Sequence, residues 1–302
     1  MGKAKTAFIT GAARGIGRAI ALDLAEHGFD IALTARSLDA AVFSNKPGTL
    51  QEVAERVRAL GRRALPIKLD LLEQDDIRNG WAQAVAEFGH IDLLVTSGNY
   101  VEIGPHGAYS NKFADVPWDA LERHARITGL SCLFLNQLAV KQMMQQGSGI
   151  IANVTQNAYW LNVEEMVDHM PLPGEGMPGM SIAVMRGITD RIPPALKREV
   201  APYGITVLTL DPGMTLSVDK GLWEELATVG YRPDLAHSSL VPARAMSYIA
   251  THANPTMFSG KMVIAADLVR EKKLLSESEI GIGGHGGAQE VISAPQVTAL
   301  LA

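Results

Sequence analysis

Seven short apolar runs, spaced by segments of helical character, constrain this chain more than any other feature. TAFIT (6–10), DIALTA (30–35), ALPIKL (64–69), IDLLVT (91–96), GIIANV (149–154), ITVLTL (205–210) and KMVIAA (261–266) are nearly continuous in hydrophobic character. A strand that is apolar at almost every position has no face to offer water, so these runs predict strands buried on both faces. Between them, Ile16, Ile20 and Leu24 recur every fourth residue, and Gly28 is placed to end that helix. Val53, Val57 and Leu60 mark one face of a helix over 49–60, and a long helix runs from Trp118 to Gly147. Alternating strands and helices predict an α/β fold, a doubly wound parallel sheet of about seven strands with helices on both faces. All seven runs fit one sheet, so residues 1–267 are expected to form one domain and 268–302 a C-terminal tail. The tail's GIGGHGG (281–287) predicts flexibility unless a neighbour orders it.

Composition narrows the functions open to such a fold. A hydrophobic fraction of 47% over 302 residues supplies a substantial core. The net charge of −5 gives no basic field, so nucleic acid is not an expected partner. The single cysteine, Cys132, excludes an internal disulfide and fits a reducing, cytoplasmic compartment; its apolar surroundings predict a core residue. MGKAKTAFITG has no long apolar segment ahead of a cleavage site, and no apolar run is long enough to span a bilayer, so no membrane association is expected.

The first strand runs directly into TGAARGIG, residues 10–17. Glycines there permit a tight turn and close approach of a pyrophosphate, and the following helix aims its N-terminal amides at that anion. Between the first strand and first helix of an alternating chain, the pattern predicts a Rossmann-like dinucleotide site. The end of the second strand reads Thr34-Ala35-Arg36, without the acidic residue that would bind the adenosine ribose of NAD. Arg36 can clamp a 2′-phosphate, and Arg14 in the glycine turn can approach the same group. NADP(H) is therefore expected ahead of NAD(H).

Over residues 5–267 the chain resembles the short-chain dehydrogenase/reductase family in its single-domain form. Thr10, Gly11, Arg14, Gly15, Ile16 and Gly17 fall in that family's cofactor motif, and Asp70-Leu71 resembles its adenine-contacting pair. HIDLLV (90–95) resembles the run into its fourth strand, with Gly98 in the segment that follows; Asn153 lies in the matching fifth strand. APYGITVLTLDPGMTLS (201–217) is similar to its sixth strand and Pro-Gly turn, which adds Pro212, Gly213 and Ser217 to the expected cofactor contacts, Ser217 near the nicotinamide amide.

The catalytic end departs from the family. Where the family carries Ser, Tyr and Lys, this chain aligns Gln156, Pro178 and Ile182, and the position of the family's relay Asn falls near Arg126. Replacements are conceivable: Gln156 can donate amide hydrogens to an oxyanion, Thr155 can add a hydroxyl, Tyr159 lies just beyond, and His169 has a near-neutral imidazole suited to acid catalysis. Asp168-His169 with Glu164-Glu165 does not have the spacing of a metal-ligand set, and no metal is expected. Trp160, Trp223 and the methionines at 166, 170, 177, 180 and 214 suggest an adaptable pocket for a bulky apolar small molecule. Three functions stay open: an NADP(H)-dependent oxidoreductase with atypical acid–base residues, an NADPH-binding sensor or scaffold without turnover, and a non-redox isomerase or dehydratase. A homo-oligomer, a dimer in the first instance, is expected from the resemblance, with Pro193-Pro194 breaking the catalytic helix and the tail covering a neighbour.

Overall fold

The computed structural model describes residues 4–39, 48–98, 116–155, 187–213, 215–216 and 237–280. Each of the seven apolar runs forms a strand of one sheet. In chain order these are β1 (Thr6–Thr10), β2 (Asp30–Ala35), β3 (Ala64–Lys68), β4 (Leu93–Thr96), β5 (Gly149–Val154), β6 (Ile205–Asp211) and, after a small separate pair, β9 (Met262–Ile264). That pair is β7 (Thr215–Leu216) with β8 (His237–Ser238). The sheet order is β3-β2-β1-β4-β5-β6-β9, and every neighbouring pair is parallel. All five residues of β1 and all seven of β6 are buried, as their continuous apolarity predicts. Pro66 sits in β3, an edge strand, where its missing N–H costs no inner ladder bond.

Helices cover both faces. On one lie α1 (Gly15–Glu26), α2 (Leu50–Ala59), α7 (Leu240–Thr251) and α8 (Ala265–Glu271), whose buried residues join Ile9, Leu33 and Leu210 in one core. On the other, α3 (Gln74–Phe88), α5 (Ser131–Gln146) and α6 (Ile192–Val200) pack with Phe8, Leu94 and Val207. Helix α2 starts at a capping box: Glu52 N donates to Thr49 Oγ1 (3.1 Å) and Thr49 N donates to Glu52 Oε2 (3.0 Å). The chain from Trp118 to Gln146 is helical throughout, yet it is not one α-helix. Helix α4 (Trp118–His124) passes into a π-helical segment, Ala125–Leu130, before α5 begins.

The diproline does break its helix. Residues 187–189 are helical, 190–191 form a turn, and α6 restarts at Ile192 with the prolines in its first turn, where their missing N–H groups have no intrahelical partner to lose. The tail behaves differently from expectation at its near end. Helix α8 and a short α9 (Glu277–Ile280) bury Leu268, Val269, Leu275 and Ile280 in this chain's own core. Residues 281–302, with GIGGHGG, lie outside the described residues.

Candidate active site

The strand order reverses between β1 and β4, and at such a switch point the crevice beyond the strand ends takes a ligand in open α/β sheets. Thr10 closes β1 at that crevice. Its Oγ1 accepts from Ser97 N (3.0 Å) and Gly98 N (2.9 Å), tying the end of β1 to the segment after β4. Gly11 follows with φ +67°, and a Cβ there would lie 3.0 Å from Gly98 Cα and from Ser97 O. A Cβ on Gly17 would sit 2.5 Å from Gly11 O, and one on Gly98 would overlap Leu71 Cδ1. The glycines thus let β1, α1 and the loops after β3 and β4 converge on one point. Gly15 and Ile16 open α1, whose N-cap Arg14 gives it no side-chain cap. An uncapped helix N-terminus behind a glycine turn suits an anion, so the residues present fit a dinucleotide pyrophosphate. Asp70 is half-buried beside this crevice, and its Oδ1 accepts from Leu72 N (2.9 Å), which turns Leu71 toward Gly98.

Arg14, the N-cap of α1, and Arg36, the residue after β2, stand at the outer end of the crevice. Burial first, and then the charge of Arg36, push the Arg14 guanidinium below its ordinary proton affinity. Ala12 N donates to Thr34 O (3.0 Å), which fixes the glycine turn against the end of β2 where Arg36 stands.

At the other end, a small cleft is lined by Thr10, Gly98, Thr128, Ser131, Val154 and Thr189, among others. Thr155, the first residue after β5, donates its N–H to Leu210 O (3.0 Å) and is 2% exposed. Thr189 Oγ1 donates to Thr155 Oγ1 (3.2 Å), and Thr209 Oγ1 holds Thr189 O (3.1 Å). Sequence reading missed Thr189, because the contact joins two helical and strand segments 34 residues apart.

The π segment shapes the cleft's other wall. Thr128 Oγ1 donates to His124 O (2.7 Å) and Ser131 Oγ to Ile127 O (2.5 Å), so hydroxyls serve carbonyls that backbone amides serve in an ordinary helix. Arg126, the residue assigned near the family's relay Asn, faces outward and donates to Leu72 O (2.7 Å), whereas Ile127 and Thr128 line the cleft. Behind it Asn153 Oδ1, fully buried, accepts from Thr96 Oγ1 (2.9 Å), Asn136 Nδ2 (2.8 Å) and Cys132 Sγ (3.2 Å). Burial pushes the Cys132 thiol up to about 11, which keeps it protonated and inert, a core residue as expected.

Pro212 and Gly213 end the crevice beyond β6. Gly213 N donates to Asp211 Oδ1 (2.7 Å), and His237 Nε2 lies 2.7 Å from Pro212 O. Of the other expected site residues, Gln156, Tyr159, His169 and Ser217 lie outside the described residues, as do Pro178, Ile182 and the Trp and Met pocket walls. Among the described residues no group of three or more His, Cys, Asp or Glu is arranged to hold a metal ion, and no helix is long and apolar enough to cross a membrane.

Comparison with known proteins agrees with this geometry. The short chain dehydrogenase family model matches residues 5–168. An L-rhamnose 1-dehydrogenase (NAD(P)(+)) of a Sphingomonas species is 34% identical over 145 residues, which span 48% of this chain and 51% of that relative. The chain therefore aligns with about half the length of that protein. A 3-oxoacyl-(acyl-carrier-protein) reductase of Staphylococcus epidermidis is 29% identical over 213 residues, 70% of this chain and 76% of the relative. In fold, a crystal structure of a putative dehydrogenase from Xanthomonas campestris superposes with a TM-score of 0.73, covering 92% of this chain and 93% of the other at 23% identity. The parallel sheet, the glycine turn at its switch point and the family match over residues 5–168 lead to one assignment: the chain belongs to the short-chain dehydrogenase family.

Proposed function

We propose that this chain is an NADP(H)-dependent oxidoreductase acting on the carbonyl/alcohol or conjugated carbonyl of a bulky apolar small molecule, with acid–base residues other than the family's Ser, Tyr and Lys. The cofactor choice is carried by one observation: the hydrogen bond from Ala12 N to Thr34 O holds the glycine turn, with Arg14 in it, against the end of β2, where Arg36 stands in place of an acid. Guanidinium groups bind phosphate oxygens in pairs, so arginines at these two positions suit a 2′-phosphate. No carboxylate stands at Thr34, Ala35 or Arg36 to take a ribose diol instead. The rhamnose dehydrogenase carries both NAD and NADP in its name, so the relatives leave this choice to the residues.

When bound, the nicotinamide supplies the hydride chemistry. The chain's own residues bind and orient. Arg14 and Arg36 would hold the phosphate end, and the first amides of α1 would face the pyrophosphate, while Gly11 and Gly98 let the surrounding loops close on that turn. At the far end Thr155 Oγ1 accepts a hydrogen bond from Thr189 Oγ1, and its own O–H is then available as a donor toward a substrate oxygen. Gln156, Tyr159 and His169 are the further candidates for polarising that oxygen or protonating it. Loss of a general acid costs about 10²–10⁴ in rate, which a quinone or enone substrate tolerates because it delocalises its own developing charge.

Gln156, Pro178 and Ile182 at the family's catalytic positions favour a second reading, an NADPH-binding protein without turnover. Titration of NADPH, followed by its oxidation across a carbonyl, quinone and enone panel, tests both readings. Binding with oxidation supports the enzyme, binding without oxidation the second reading, and absence of binding rejects both.

A further inference from the structure

Pro212 and Gly213 carry the chain out of β6 and into β7, and the chain returns as β8 in parallel register, Thr215 opposite His237 and Leu216 opposite Ser238. This pairing brings His237 back beneath the turn it follows by more than twenty residues. The side chain is 2% exposed, and its Nε2 lies 2.7 Å from Pro212 O. A carbonyl only accepts, so Nε2 carries the proton in the neutral ring. Gly213, at φ +65°, is so close that an added Cβ would overlap His237 Cε1 and lie 3.1 Å from Nε2. From the other side Asp211 Oδ1 holds Gly213 N at 2.7 Å. The turn is therefore gripped at its carbonyl by an imidazole and at its amide by a carboxylate, both buried.

A dinucleotide with its phosphate on Arg36, at the end of β2, crosses the switch point and brings its nicotinamide end toward β5 and β6. We infer that His237 is a positioning residue for that end of the cofactor: it sets the Pro212–Gly213 backbone against which the nicotinamide lies, without contacting the cofactor itself. This rests on the cofactor reading above. Pro212 contributes no N–H and Asp211 already takes that of Gly213, so a side chain can hold the turn further only through a carbonyl, and His237 holds that of Pro212. A rigid ring whose only torsions are locked by burial suits this work better than a flexible donor.

The test uses the full chain, the variants His237→Phe, His237→Asn and His237→Gln, and two ligands, NADPH and 2′,5′-ADP, the latter lacking the nicotinamide half. Phe removes the donor and Asn is too short to reach Pro212 O, so both weaken NADPH binding on the order of tenfold while 2′,5′-ADP changes less than about twofold. Gln places an amide N–H near the former Nε2 and keeps NADPH affinity within about threefold of wild type. Equal weakening of both ligands, or unchanged NADPH affinity in Phe and Asn, overturns the inference. A wild-type protein that binds neither ligand overturns the cofactor reading instead, so the two failures are told apart.

Discussion

Gly17 shows how little tolerance the cofactor turn has at the level of single residues. Its missing side chain lets α1 press on Gly11, and an alanine Cβ would stand 2.5 Å from a backbone oxygen that cannot move without shifting the whole turn. Gly17→Ala is expected to cost about 1–3 kcal/mol of stability and most of the cofactor affinity, read by urea denaturation and by NADPH titration. Folding with wild-type affinity would contradict the close approach. His237 gives a second prediction, through pH. Burial, and the charge of Arg270 on α8, lower its proton affinity, while Pro212 O opposes them; among the described residues, Asp211 on β6, Asp267 and Glu271 on α8, and Glu277 and Glu279 on α9 are further charges on these elements. The unfolded chain takes up this proton near pH ~6.5 and the folded chain only at lower pH. The neutral imidazole's contribution is therefore present above pH ~6.5 and is lost as pH falls toward the folded value. Urea midpoints between pH 7.5 and pH 5 (about the span of an ordinary imidazole titration) should fall more steeply in wild type than in His237→Gln. Parallel profiles would count against it.

Elements divide cleanly into those the sequence announces and those it hides. The seven sheet strands are legible because a doubly covered sheet needs apolar side chains on both faces, a local property of each run. The break at Pro193-Pro194 is legible for the same reason, since proline acts on its own backbone. The π segment is not. It depends on Thr128 and Ser131 hydroxyls taking carbonyls one turn back, and those residues serve equally well in an α-helix. That register sets Thr128 toward the cleft, while Arg126 donates to Leu72 O on the outside. Thr189 and His237 are likewise invisible from local pattern, because their partners come from another strand and another loop. Gln156, Tyr159 and His169 remain expectations carried by the sequence alone. The buried clamp of Asn136 on Asn153 joins α5 to β5, and Asn136→Leu should destabilise the fold by about 1–3 kcal/mol, because the Asn153 amide loses an acceptor inside the core. A urea midpoint equal to that of wild type would show that the clamp contributes nothing.

At the scale of the whole molecule, the sheet's reversal between β1 and β4 brings the ends of four strands to one crevice, and the C-terminal helices close one face behind it. Truncation after Asp267 removes Leu268, Val269, Leu275 and Ile280 from that core and is expected to cost on the order of 5 kcal/mol, whereas truncation after Ile280 removes none of the core residues described above. Thermal melts of the two truncations separate the cases, and equal stability would contradict the packing. On the outside, Trp118 (77% exposed), Leu130 (56%) and Leu133 (43%) lie along α4, the π segment and α5. We propose that this face joins two copies into a homo-oligomer; light scattering should find a dimer or larger, with Leu130→Asp shifting it toward monomer, and a monomeric wild type would reject the proposal. The account as a whole turns on Arg14 in the glycine turn and Arg36 after β2, and one measurement bears on it most directly. Calorimetric affinities for NADPH and NADH in wild type and in Arg36→Ala should differ by about tenfold or more in favour of NADPH in the first protein and by little in the second. Equal affinities in wild type, or a preference that survives Arg36→Ala, would contradict it.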